Sequence, residues 1–152
     1  MDYPPFLEGK TEAEYRTHFE SVYCQGPLPT FDGIHVRFRK NDFDHAFFES
    51  SSPKSKDDVF SAERSKRIDW IKAALADASA DLRVGYDNQL RRLATDRRVA
   101  IVKGNFVVII RIIAEEKAEF VTCYIASTWT LQKIRKSPKW PRKKKGPDDA
   151  SA

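Results

Sequence analysis

The chain has 152 residues, 41% hydrophobic and 32% charged, which is one domain's length with enough apolar material for a core. Its longest apolar run, Phe106–Ile110, is stopped by Arg111 and is far too short to cross a bilayer. The opening Met-Asp-Tyr-Pro-Pro has neither the basic nor the apolar stretch of a signal peptide. The net charge of +5 is unevenly spread, because residues 133–145 hold eight basic residues and no acid while residues 1–132 hold 19 basic and 20 acidic ones.

In chain order, a Pro-rich extended start leads to Thr11-Glu12-Ala13-Glu14, a capping box that opens a helix with Tyr15, Phe19 and Val22 on one face. Gly26-Pro27 closes it. Ile34, Val36 and Phe38 alternate with His35 and Arg37, which predicts a short strand. Residues 40–58 read as a loop holding the cluster Phe43-Asp44-His45-Ala46-Phe47-Phe48, and a helix is expected over 59–77. A short helix around Asn88–Leu93 is expected next. Three strands follow at Arg98–Val102, Phe106–Ile113 and Glu119–Ala126, the first two joined by a tight turn at Lys103-Gly104-Asn105. A last helix, Thr130–Arg135, leads into Pro138, Trp140 and the basic run. The fold class is α+β: helices packed on one face of an antiparallel sheet, in a single domain over residues 1–136, followed by a basic flexible tail over 137–152. Two cysteines, Cys24 and Cys123, make no disulfide framework or zinc site; both read as small buried apolar side chains, in keeping with a reducing cytoplasm.

Three features depart from a plain core pattern. On a helical projection of residues 59–77, Arg64 and Arg67 fall inside the apolar arc of Phe60, Ile68, Trp70, Ile71 and Leu75. Charges placed there need partners. One reading has them paired with Asp42 or Asp44, or reaching over the helix edge. The other has them facing a cleft, where the guanidinium fork fits the oxygens of a phosphate. Second, simple alternation puts Val121, Cys123 and Ile125 on the core face of the last strand, and Phe120, Thr122 and Tyr124 on the other, so two hydroxyls share one surface. Third, His45 sits between Phe43 and Phe47, and imidazole can take and give a proton near neutral pH. His35 and Arg37 share a strand face as accessory groups. His18 reads as structural.

The segments His35-Val36-Arg37-Phe38, Phe43-Asp44-His45-Ala46-Phe47-Phe48, Arg64-Ser65-Lys66-Arg67-Ile68-Asp69-Trp70-Ile71, Phe120-Val121-Thr122-Cys123-Tyr124 and Lys133-Ile134-Arg135-Lys136-Ser137-Pro138-Lys139-Trp140 carry a resemblance. In order and spacing they resemble the small bacterial and phage-associated domains of the barnase/EndoU/colicin/RelE-like nuclease superfamily. The resemblance implies a helical N-terminal part on a curved antiparallel sheet. It also implies cleavage of RNA without metal or other cofactor, leaving a 2′,3′-cyclic phosphate and a 5′-hydroxyl. Carried onto this chain, His45 is the general base or acid, Arg64 holds the scissile phosphate, and Arg67 assists it. Thr122 orients a phosphate oxygen, and Tyr124 positions substrate or relays a proton. His35, Arg37, Lys54, Lys133 and Arg135 become substrate contacts. The expected partners are an RNA, tRNA or mRNA among them, and a cognate antitoxin or immunity protein that restrains a toxin-like enzyme in the cytoplasm. The basic run is expected to grip an RNA backbone, with Trp140 stacking on a base. The alternative from the residues alone is a non-catalytic nucleic-acid-binding or phage-associated interaction module.

Overall fold

The computed structural model describes residues 3–52, 54, 58–84 and 97–140, with the backbone of 86–87 and 92–93. In chain order the elements are α1 (Glu12–Tyr23), β1 (Leu28–Pro29), β2 (His35–Arg37), α2 (Asp42–Ala46), β3 (Phe48–Glu49), β4 (Val59–Phe60), α3 (Ala62–Ser65) and α4 (Ile68–Ala76). Then come β5 (Asp81–Val84), β6 (Tyr86–Asp87), β7 (Arg92–Leu93), β8 (Arg98–Lys103), β9 (Phe106–Ala114), β10 (Lys117–Ile125) and α5 (Thr128–Lys136). The class is α+β. No helix among the described residues is long and apolar enough to cross a membrane.

The main sheet has the order β1-β2-β10-β9-β8-β5. The meander β8-β9-β10 is antiparallel, and Gly104 takes the left-handed backbone (φ 61°) that the tight β8–β9 turn requires. β2 pairs with β10 in parallel, which makes the sheet mixed rather than wholly antiparallel. The two strands are far apart in the chain, so no hairpin forces them to run in opposite directions.

α1 begins as expected. The Thr11 hydroxyl accepts the Glu14 N–H, and the Glu14 carboxylate accepts the Thr11 N–H at 2.8 Å. The helix buries Tyr15, Phe19 and Tyr23, so the last apolar position is Tyr23 and Val22 lies at the margin. Phe19 is the hub of an aromatic cluster, with the rings of Phe38, Phe43, Phe47 and Phe120 centred 5.7–6.4 Å away. β9 is apolar on both sides. Phe106, Val108, Ile110 and Ile112 join the main core, while Val107 and Ile109 join a smaller one under α5 with Ala100, Val102 and Ile134. Helices therefore cover both faces, and α5 is the one that departs from the expected single-faced layer.

Several boundaries differ from the sequence reading. The loop expected over 40–58 contains α2, whose Phe43, Ala46 and Phe47 at i, i+3 and i+4 are fully buried. The helix expected over 59–77 starts as strand β4 and then divides into α3 and α4. The Leu7 N–H donates to the Lys66 carbonyl at 2.8 Å, so this carbonyl is satisfied from the N-terminal segment and the chain turns at Lys66-Arg67. Of the helix expected around Asn88–Leu93, residues 88–91 lie outside the described set, and Arg92–Leu93 pair with Tyr86–Asp87 as a ladder. The expected flexible tail stays packed through Trp140. Val84 N–H donates to the Pro138 carbonyl, Trp140 N–H to the Leu82 carbonyl, and Ser137 is buried. Residues 141–152 of that tail lie outside the described set.

Asp77 ends α4 almost fully buried. Burial works against its ionised form. Hydrogen bonds from the Ser79 hydroxyl (2.6 Å) and N–H (2.9 Å), the Tyr3 hydroxyl (3.0 Å) and the Lys103 ammonium (3.2 Å) outweigh it and hold the carboxyl at about 2, below its ordinary 3.8. A carboxyl with a depressed folded-state pKa adds stability that is complete above the unfolded value and is lost as pH falls through the folded one. Unfolding midpoints in urea will therefore drop between about pH 4 and pH 2, and Asp77→Asn will flatten that limb. An acid limb of equal slope in the variant refutes the assignment.

Candidate functional site

β10 pairs with β2 only through Lys117–Glu119, so among the described residues the second half of β10 has no strand beside it on the β2 side. α2 lies there instead. Thr122 Oγ1 makes a long contact, 3.5 Å, to the His45 carbonyl, and Cys123 Sγ reaches the Ala46 carbonyl at 3.9 Å. The His45 side chain is exposed in the last turn of α2, near Asp42 one turn earlier. Burial raises the Asp42 carboxyl, although the Arg39 N–H and the charges of Arg39 and His45 oppose the rise.

The chain leaves α2 through β3 and returns through β4. Ser61 then donates its N–H to the Phe47 carbonyl (2.7 Å), and its hydroxyl accepts the Arg64 N–H, capping α3. This anchoring turns the Arg64 guanidinium back toward β3, where Nη1 donates to the Phe48 carbonyl at 2.7 Å. Its charge acts on two neighbours along β10. Burial pushes the Cys123 thiol up to about 12, and Arg64 partly offsets this. Burial also raises the Tyr124 phenol, again against the pull of Arg64. The backbone of His45 thus meets the Thr122 hydroxyl, and the charge of Arg64 acts on Tyr124, where α2, α3 and β10 meet.

Alternation breaks on the way there. A register shift between Phe120 and Thr122 places both Phe120 and Cys123 in the main core, while Val121 and Tyr124 pack toward the α5 side. Phe120 is therefore a core residue, not a companion of the two hydroxyls.

Arg67 is not brought to this group. Its guanidinium donates to the Glu63 carbonyl at 2.6 Å, pairs with the Glu63 carboxylate at 3.4 Å, and lies 4.7 Å from the Phe6 ring and 5.6 Å from that of Trp70. The turn between α3 and α4 removes the helical register that would have aligned it with Arg64. Asp44 is held by Arg16 at 2.6 Å, so neither carboxylate expected for the arginine stripe serves it. His18 pairs with Asp69 at 2.7 Å and ties α1 to α4.

His35 and Arg37 are exposed on the sheet face opposite the main core. In the ladder Arg37 stands beside Glu119. Glu119, whose side chain is only 12% exposed, bridges Arg39 at 3.2 Å and Arg111. This charged trio escaped the sequence reading. Its signal was Arg111, a charge in the middle of an otherwise apolar strand. Lys54 is exposed between β3 and β4, Arg135 is exposed on α5, and the Lys133 ammonium lies 3.5 Å from the centre of the Trp129 ring. Trp140 does not present its ring as expected. It packs against the main core and lies under Arg97 at 5.9 Å.

No family model, curated protein or solved structure matches the chain.

Proposed function

We propose that the protein is a small endoribonuclease that needs no metal. The observation that supports this best is Arg64, a guanidinium anchored on the Phe48 carbonyl whose charge acts on Tyr124, with Thr122 against the His45 carbonyl on the adjoining edge. In the reaction, the ribose 2′-oxygen attacks the adjacent phosphorus and the bond from phosphorus to the 5′-oxygen breaks. The products are a 2′,3′-cyclic phosphate and a 5′-hydroxyl. His45 exchanges the proton as base or acid. Arg64 binds the phosphate and stabilises the charge that builds on it. Tyr124, whose burial favours the protonated phenol, serves as a hydrogen-bond donor, and Thr122 orients a phosphate oxygen. His35, Arg37, Lys54, Lys133 and Arg135 contact more distant phosphates. A toxin-like role in the cytoplasm, under a cognate inhibitor protein, belongs to the same reading.

Incubation of the purified protein with RNA in EDTA is the direct test. Fragments ending in 2′,3′-cyclic phosphate are expected. RNA left intact, or cleavage that requires added divalent metal, refutes the mechanism.

A further inference from the structure

α5 packs Leu131 and Ile134 against the sheet but leaves Trp129 in solvent, 64% exposed. Trp129, Lys133 and Lys136 fall at i, i+4 and i+7, so one stripe of the helix carries an indole followed by two cations. The Lys133 ammonium already lies 3.5 Å from the ring centroid. Acidic residues are absent from the sequence between Phe120 and Pro147. A large aromatic surface beside two cations, on a stretch of sequence without carboxylates, matches a ligand that has both a flat π-face and negative charge. A nucleotide in a single strand has both.

We infer that Trp129 is a stacking platform for a base of single-stranded nucleic acid, with Lys133 and Lys136 drawing in the flanking phosphates. Every base offers a π-face, so the contact tolerates any sequence. Trp129 is five residues beyond Tyr124, a separation of at most about 18 Å. A strand whose scissile phosphate sits at Arg64 can therefore reach the platform within a few nucleotides. That placement rests on the ribonuclease reading; the platform itself does not.

The test uses the full chain and a short fluorescein-labelled single-stranded oligodeoxynucleotide, read by fluorescence anisotropy at fixed salt. The probe has no 2′-hydroxyl and so cannot undergo the proposed cleavage. Trp129→Ala is expected to weaken binding by roughly 5- to 100-fold, Trp129→Phe to keep most of the affinity, and neither to change the melting temperature. Affinity unchanged in Trp129→Ala overturns the inference, also where an acidic protein is found to dock on this face. So does a Trp129→Phe variant no better than the alanine one. A bound probe with RNA left uncut sinks the nuclease reading alone. Cut RNA with a probe indifferent to Trp129 sinks the platform alone.

Discussion

His45→Ala will remove RNA cleavage and leave the fold standing. The side chain is exposed, and the group of this residue that meets Thr122 is its backbone carbonyl, which alanine keeps. The packing of α2 comes from Phe43, Ala46 and Phe47, none of which changes. The stability change should therefore stay within about 0.5 kcal/mol, as for surface substitutions generally. Removing a positioned proton-transfer group costs a factor of about 10²–10⁴ in rate. The two expectations are measured separately, by initial rates on a labelled RNA and by the urea midpoint. A variant that still cuts at the wild-type rate removes His45 from the mechanism. A variant that unfolds gives the residue a structural role instead.

The parts of this fold that the sequence made legible are those set by neighbours in the chain. The capping box at Thr11 and Glu14, the tight turn at Gly104 and the apolar run of β9 depend on local periodicity, and each appears where the pattern puts it. What periodicity does not carry is a long-range partner. The helix over 59–77 divides because Leu7, distant in sequence but adjacent in space, takes the Lys66 carbonyl. The two arginines of one apparent stripe then part company: Arg64 turns to Phe48, and Arg67 to Glu63 and Phe6. Alternation along β10 fails for a similar reason, since the register shift at Phe120/Thr122 answers to β9 and leaves no mark in composition. Trp140 looked like a free aromatic in a basic tail. The Leu82 carbonyl and the main core hold it, and Trp129 is the exposed one.

The divergence of the two arginines yields the second large effect. Arg64→Ala will lower the cleavage rate by about 10²–10³, the usual cost of one donor to a developing oxyanion. Arg64→Lys will recover only part of the rate, because an ammonium keeps the charge but not the planar fork that can hold the Phe48 carbonyl and a phosphate oxygen together. Arg67→Ala should behave in the opposite way. Its partners are Glu63 and the Phe6 and Trp70 rings, so about 1–2 kcal/mol of stability should go while cleavage by the folded fraction continues. Rates corrected for the folded fraction, alongside urea midpoints, separate the two arginines. If Arg64→Ala cuts normally while Arg67→Ala loses activity without losing stability, the phosphate site lies on the Arg67 side of the turn, next to Phe6 and Trp70, and the group around Tyr124 is structural.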